Sequence, residues 1–291
     1  MLQPILNSFI TASWVALVAS GFGLVFYCGR FFHFAQGTVF MAGAYFTYFL
    51  RNFLGLSLFA SVVLSIALSA GLGCLIELAV YRPLRHKGAS SLAMLLASLG
   101  MYVVLQNTIA MVFGSDTKTI RQGDIQEGLN VLGAKITQLQ VLTICISMTL
   151  LMVLAIALKR TKVGVAIRTL ASDPELARTV GIDPDRVMFW VFFIASSLGG
   201  IAGILVALDV DMTPTMGMTA MLMGVVAVII GGVRSPLGVL LGALLLGMAQ
   251  HLGVWKVGAQ WQDAIAFAIL LIFLLIRPRG IFGRKLRRSE V

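Results

Sequence analysis

Five long apolar runs constrain the fold of this chain more than any other feature of its sequence. They cover residues 14–27, 56–79, 139–158, 187–208 and 264–276, and they contain almost no charged side chain. Several reach the roughly 20 residues that an α-helix needs to cross about 30 Å of hydrocarbon. Of the 291 residues, 59% are hydrophobic and only 12% are charged. The sequence therefore predicts an all-α integral membrane protein.

The order of the apolar segments predicts a polytopic helical bundle that forms a single transmembrane domain over residues 1–291. We expect about eight or nine membrane segments. Those near 34–50 and 216–233 are short and interrupted by Gly, Gln, Thr and Met, so one or both are expected to be broken or re-entrant helices. The predicted segments are 5–27, 34–50, 56–80, 90–113, 139–158, 187–208, 216–233, 237–253 and 261–276.

The Lys and Arg residues indicate how the bundle is oriented. Of the 22, 17 fall on the side that holds a polar loop at about 159–186 and a basic tail at 277–291, and 5 fall on the side that holds a polar loop at about 114–138. Basic side chains accumulate on the cytoplasmic side of a membrane. We therefore expect the 114–138 loop to be external and the C-terminus to be cytoplasmic. The tail is expected to bind lipid headgroups, and nucleic acid is not expected as a partner.

The 159–186 loop contains the signals of a short helix. Asp173 is a suitable N-cap, Pro174 suits the first helical position, and Glu175 complements the positive end of the helix dipole. Gly181 is a natural end for the helix. The expected apolar flank consists of Leu176, Ala177 and Val180. Two interpretations stay open, namely an ordinary surface connector and a docking helix that transmits force from a cytoplasmic partner.

Glu175-Leu-Ala-xxx-Gly181 resembles the Glu-Ala-Ala-xxx-Gly loop with which ABC importer permeases engage their ATPase subunits, with Leu176 in place of the first Ala. The whole chain resembles the branched-chain amino-acid (hydrophobic amino-acid uptake) ABC permease family. One departure is Gln36, where the family commonly has His. The similar stretches are Phe34-Ala-Gln-Gly37, Met41-Ala-Gly-Ala-Tyr45, Tyr81-Arg-Pro-Leu84, Ser98-Leu-Gly100, Leu105-Gln-Asn107, Ala171-Ser-Asp-Pro-Glu-Leu-Ala177, Gly231-Gly-Val-Arg-Ser-Pro-Leu-Gly238 and Arg277-Pro-Arg-Gly-Ile-Phe-Gly283.

The resemblance implies a non-catalytic subunit of an importer in a bacterial cytoplasmic (inner) membrane. Its implied partners are cytoplasmic ABC ATPases, a second permease subunit (often a homologue) and an external or periplasmic solute-binding protein. The sequence has no Gly-x-x-x-x-Gly-Lys-Ser/Thr motif, so ATP and Mg²⁺ are expected to be used by the partner ATPases and no cofactor is expected here. The residues implied in ATPase coupling are Asp173, Pro174, Glu175, Leu176, Ala177, Arg178 and Gly181.

Polar side chains within the apolar segments are candidates for the translocation path, because such groups either bond to other helices or face a polar route. The candidates are Gln36, Thr38, Ser98, Gln106, Asn107, Ser196 and Ser197. Near the end of the third segment, Glu77 is expected to form an ion pair with Arg82. His33 and Arg30 are expected at the cytoplasmic interface. The scattered Cys and His residues predict no metal site.

Few charges in the segments favour a cargo of little net charge with an apolar part. Branched-chain amino acids are the leading candidates, with urea and short amides as alternatives. A stand-alone channel or a secondary transporter for small neutral solutes also remains open, although such proteins usually carry charged side chains at mid-membrane. A membrane enzyme would need a nucleophile, a metal cluster or an acid–base pair, and no such group of residues stands out.

Overall fold

The structure is a computed structural model that describes residues 2–121, 128–131, 134–233, 235–277 and 280–281. Most of the basic tail and part of the 114–138 loop lie outside these residues. The helices are α1 Leu2–Gly29, α2 Gln36–Asn52, α3 Leu58–Ile76, α4 Arg82–His86, α5 Ser91–Phe113, α6 Gln138–Arg160, α7 Lys162–Ser172, α8 Pro174–Thr179, α9 Pro184–Asp209, α10 Met216–Gly231, α11 Pro236–Val257 and α12 Gln262–Ile276.

Two smaller features complete the fold. A π-helical turn, Glu77–Tyr81, joins α3 to α4, so that one helix runs without a break from Leu58 to His86. The strands β1 Leu129–Val131 and β2 Ala134–Ile136 form an antiparallel hairpin, and a 3₁₀ turn, Ala259–Trp261, precedes α12.

The described residues contain seven helices long and apolar enough to span a membrane, together with the shorter apolar helix α10. This result confirms the predicted all-α polytopic membrane bundle. The long helices agree with the predicted segments to within a few residues at most ends, although the third segment continues to His86 instead of ending near residue 80. Hydroxyl side chains cap many of these helices. Ser57, Ser90, Thr137 and Ser235 each accept a backbone N–H of the first turn.

The bundle has two ends, which we name by what they carry. The α8 face holds α4, α7, α8, the end of α1 and the start of α9. The hairpin face holds β1–β2, where Gln3 of α1 bonds to the backbone of Lys135, and also the backbone pair of Lys118 with Met212 after α9. Helices α1 and α9 therefore run in opposite directions through the centre of the bundle.

The two halves of the chain form an inverted repeat whose equivalent positions differ by 180. Helix α1 ends at residue 29 and α9 at residue 209, while α2 begins at residue 36 and α10 at residue 216. Contacts obey the same relation, because Gly37 packs on Met221 and Gly217 packs on Met41. Helix pairs repeat as well: α3 packs on α9 as α11 packs on α1, and α2 on α5 as α10 on α12.

Glycine allows the central helices to approach each other backbone to backbone. A Cβ atom on Gly43 would lie 2.5 Å from the carbonyl oxygen of Gly200, and one on Gly203 would overlap the carbonyl of Phe40. Apolar solvent offers no hydrophobic force between helices in a bilayer, so close packing of this kind provides much of their association. The contacts fix α2 against α9 at the centre of the protein.

Candidate functional site

The two half-helices α2 and α10 meet at their N-termini in the middle of the bundle. A Cβ on Gly37 would lie 2.6 Å from the carbonyl oxygen of Gly217, and one on Gly217 would overlap the Gly37 carbonyl. Neither helix has a side-chain N-cap. Their first N–H groups bond instead to carbonyls of the preceding turns, such as those of His33 and Thr213. The positive ends of two helix dipoles thus converge at mid-bundle.

Gln36 lies at this meeting point and is fully buried. Its Nε2 donates to the carbonyl of Ala195 at 2.8 Å, in a space left by Gly21 of α1 and Gly199 of α9. The side-chain oxygen of Gln36 has no hydrogen-bond partner among the described residues. The Gln36 amide therefore links α2 to α9 and leaves one buried polar atom unsatisfied, which costs free energy unless another group binds it.

A second polar cluster supports the start of α2 from the side of α5. Ser98 accepts the backbone N–H of Ala35 at 3.0 Å. The hydroxyl of Tyr81, which ends the π-helical turn, lies 2.9 Å from Nδ1 of His33. Burial lowers the pKa of His33 to about 3, so the imidazole is neutral. His33, expected at the cytoplasmic interface, is buried between Tyr81 and Phe192, because the chain folds back against the bundle after Arg30.

The start of α10 is also supported from α5. The hydroxyl of Tyr102, one helical turn beyond Ser98, lies beside the backbone of Met218. On the other side of α10, Thr215 and Thr219 are exposed, and exposed Asp263 of α12 shares a small cleft with Thr219. These three polar residues form an exposed group that we call the α10–α12 polar edge. Neither it nor the two tyrosines were among the predicted site residues.

Of the other candidates for the path, Thr38 and Ser196 lie next to this centre along the chain, whereas Gln106 and Asn107 lie apart from it. Thr38 is buried and bonds to the carbonyl of Ala35, and Ser197 bonds to that of Phe193. Ser196 is fully buried and fills the space beside Gly73 of α3. Gln106 and exposed Asn107 lie on α5 about 12 Å beyond Ser98, measured along the helix axis. The assignment of these side chains to a path stays a prediction.

The predicted short helix in the 159–186 loop is present as α8. Asp173 accepts the N–H groups of Glu175 and Leu176 at 2.9 and 3.1 Å, and Gly181 after the helix has a φ of +80°. Only Gly adopts this left-handed conformation without strain. The preceding helix α7 was not predicted from the sequence.

The expected common apolar flank of α8 is wrong in one respect, because Ala177 points the opposite way from its neighbours. Ala177 is fully buried and packs against α7 and α9, whereas Leu176 is 61% and Val180 68% exposed. Glu175 and Arg178 are also exposed. The helix is therefore anchored through one small side chain and presents two apolar and two charged side chains outward.

A charged cluster lies directly behind α8, where α9 begins. Asp185 Oδ1 is 2.8 Å from Arg85 Nη2, and its Oδ2 is 3.2 Å from Arg82 and 2.6 Å from His86. Arg85 also binds the buried Glu77 at 2.6 Å. The predicted ion pair of Glu77 with Arg82 is therefore wrong. The π-helical turn adds one residue to two helical turns, so Arg85, eight residues on, shares the face of Glu77, while Arg82 contacts Asp185.

A series of contacts connects α8 with the start of α2. Asp185, which follows α8, pairs with Arg85, and Arg85 binds Glu77. The π-helical turn then leads from Glu77 to Tyr81, which contacts His33 just before α2. Within the described ranges no group of three or more His, Cys, Asp or Glu residues is placed to hold a metal ion. The architecture is that of a polytopic membrane protein with broken central helices, a class that includes transport proteins.

Comparison with known proteins gives the family. The chain belongs to the family described as branched-chain amino acid transport system / permease component, whose model matches residues 4–274. It is 30% identical to the high-affinity branched-chain amino acid transport system permease protein BraD of Pseudomonas aeruginosa, over 97% of this chain and 96% of that one. It is 29% identical to LivH of Escherichia coli, with the same coverage. A solved structure, PsaBC from Streptococcus pneumoniae in complex with Fab, shares the fold with a TM-score of 0.51 at 16% identity, covering 95% of this chain and 92% of that one.

The family match confirms the resemblance read from the sequence motifs. The protein is a permease subunit of an ABC importer and a multi-pass inner-membrane protein.

Proposed function

We propose that this chain forms one half of the translocation path of an importer for branched-chain amino acids, and that it hydrolyses no ATP itself. A second permease subunit, the same chain or a homologue, would supply the other half. The observation that carries the proposal is the meeting of two half-helix N-termini at mid-bundle, beside neutral buried groups and one exposed carboxylate. The relatives at about 30% identity, which are named as branched-chain amino acid permeases, support the choice of cargo.

The α10–α12 polar edge supports this location of the path. Thr219 lies 12 residues before the end of α10, and Asp263 lies 13 residues before the end of α12, so both are about 20 Å from the α8 face. An exposed carboxylate at this depth is costly against lipid. We therefore assign this edge to the interface with the second subunit. There Asp263 faces the ammonium group of the cargo. The positive ends of the α2 and α10 dipoles favour the carboxylate of the cargo.

The α8 face is proposed to be cytoplasmic and to bind the ATPase subunit, which uses ATP and Mg²⁺. Exposed Leu176 and Val180 offer apolar contacts, while Glu175 and Arg178 offer charged ones. The hairpin face would then be external and receive the solute-binding protein. The C-terminus, beyond α12, would lie on the cytoplasmic side.

The proposal is tested with the chain co-expressed with its partner genes, purified and reconstituted into proteoliposomes. We expect a cytoplasmic ATPase and a second permease to co-purify, and we expect leucine uptake that requires ATP and the binding protein. Uptake of urea or a short amide in place of leucine would replace the cargo assignment. Solute flux without ATP would replace the importer by a channel or carrier.

The docking assignment is tested separately with Gly181→Asp. An Asp at φ +80° strains the end of α8, and its charge stands beside the exposed docking surface. We expect ATP-driven uptake to fall at least tenfold while insertion into the membrane stays normal. Gly88→Asp is a matched control, since Gly88 has a φ of +69° at another turn of the α8 face. Normal uptake by Gly181→Asp would contradict docking at α8.

A further inference from the structure

A cleft of about 200 Å³ opens between α1, α6, α7 and α11 in the half of the bundle nearest the α8 face. Its inner walls are apolar and come from α1, α6 and α11. They include Gly23, Leu24, Leu154, Leu158 and Val239. Helix α6 beside it turns Met152, Val153 and Ile156 outward, each more than half exposed. In a membrane protein such a face contacts lipid, so the cleft opens to the bilayer and lies away from the α10–α12 polar edge.

Two cations stand at the mouth of this cleft. Lys159 lies in the last turn of α6, and Arg168 of α7 lies beside it, with Nη2 3.4 Å from the Lys159 carbonyl. Neither takes part in an ion pair within the described part of the chain, and no described acidic residue lines the cleft. By contrast, Arg82 and Arg85 on the same face are both paired with Asp185. The mouth of the cleft therefore carries uncompensated positive charge.

One polar atom lies deeper in the cleft. Ser20 of α1 lines the wall, is 95% buried, and its hydroxyl has no hydrogen-bond partner among the described residues. A buried hydroxyl of this kind favours a bound polar atom over a purely apolar occupant. The cleft thus combines an apolar channel, an unsatisfied hydroxyl and two free cations at the level of the membrane surface.

We propose that this cleft is a binding site for one anionic phospholipid of the leaflet next to the α8 face. The phosphate lies between Lys159 and Arg168, one acyl chain follows the apolar walls, and an ester oxygen lies on the Ser20 side. Basic groups at a membrane surface attract anionic lipid at about 1 kcal/mol each, so two of them give roughly thirtyfold selectivity over a zwitterionic lipid. The site is separate from the basic tail, and it does not depend on the cargo.

The experiment is native mass spectrometry of the purified transporter complex, titrated with phosphatidylglycerol or with phosphatidylcholine. The test variant is the double substitution Lys159→Gln with Arg168→Gln. The matched control is Arg160→Gln with Lys162→Gln, which removes two equal charges from the same segment without touching the cleft lining. A third variant, Ala155→Phe, fills the cleft and keeps every charge.

We expect one tightly held phosphatidylglycerol per chain. Its binding affinity should fall roughly thirtyfold in the test variant and at least tenfold in Ala155→Phe, and it should change little in the control. Equal losses in the test and control variants would mean general attraction of lipid to the surface, and the site would be rejected. Displacement of the lipid by millimolar inorganic phosphate, with Ala155→Phe unaffected, would mean a phosphate site in place of a lipid site. Retained binding of phosphatidylcholine by all variants shows that they are folded.

Discussion

The two halves of the repeat share a backbone plan and differ in the chemistry of their third helix. Helix α3 buries a polar residue at every fourth position, in the order Ser61, Ser65 and Ser69, and continues through Gly73 to Glu77, Tyr81 and Arg85. The equivalent helix α11 buries small and apolar residues at the same spacing, namely Gly238, Gly242 and Leu246, and reaches a polar side chain only at Gln250. Spacing that supports packing is therefore repeated, whereas the ion pair of Glu77 and Arg85 on the extension of α3 has no counterpart among the described residues of α11.

The difference follows the inversion of the repeat. Helix α3 leads to the α8 face, so its charged end meets Asp185 beside the proposed docking helix. Helix α11 leads to the hairpin face, where His251 bonds to Thr11 in a neutral contact. We infer that the shared small residues maintain the bundle, and that the charged extension of α3 adapts one end to an energy-supplying partner. The variants that follow test these two inferences in turn, from the largest expected effect to the smallest.

The largest effect is expected from filling the symmetric contact at mid-bundle. Gly37→Leu and Gly217→Leu each drive a side chain into the backbone of the other half-helix, so both should abolish stable folding and transport to the same degree. The measurement is the yield of monodisperse protein after detergent extraction. Gly71→Ala is the control, because a Cβ there meets nothing within 4 Å. If only one of the two leucine substitutions lowered the yield strongly, the two half-helices would not be equivalent.

The second effect concerns the charged half alone. Arg85→Leu leaves Glu77, which is 1% exposed, without a partner, at an expected cost of about 3–5 kcal/mol in unfolding free energy. Thermal unfolding in detergent measures it. The double variant Glu77→Leu with Arg85→Leu should recover much of the loss. Arg186→Leu, which removes an exposed partner of Asp183, should cost under about 1 kcal/mol. Equal losses of unfolding free energy in Arg85→Leu and Arg186→Leu would contradict a special role for the α3 extension.

The parts predicted from the sequence are those that depend on local composition. Apolar length predicted the spans, and the Gly and Gln interruptions marked α2 and α10, because hydropathy is a property of one segment at a time. The pairing of Glu77 with Arg82 was wrong because sequence spacing did not reveal the extra residue of the π-helical turn, which puts Arg85, eight residues on, at the Glu77 face. The clustering of Tyr81 and Tyr102 around two half-helix starts depends on contacts between distant segments, and no local signal marked them.

A smaller effect is expected at the α10–α12 polar edge. Asp263→Asn removes the carboxylate proposed to face the ammonium group of the cargo, so leucine uptake should fall about tenfold with the fold unchanged. Asp116→Asn is the control, since Asp116 is an exposed acid of the hairpin face whose removal leaves the edge intact. Initial uptake rates in proteoliposomes measure both variants. Unchanged uptake by Asp263→Asn would move the path away from this edge.

The smallest effect tests whether α5 supports both half-helices equally. Ser98→Ala removes the acceptor of the Ala35 N–H, and Tyr102→Phe removes the hydroxyl that lies beside the backbone of Met218. Ser98→Ala should cost about 1–3 kcal/mol, because it leaves the buried Ala35 N–H unpaired. Tyr102→Phe should cost about 0.5–1.5 kcal/mol, because the Met218 N–H keeps its bond to the Thr215 carbonyl. Thr108→Ala on the same helix, bonded only to its own turn, should cost less. If unfolding in detergent shows a loss for Ser98→Ala but none for Tyr102→Phe, α5 belongs to the first half of the repeat alone, and the start of α10 relies on the second subunit.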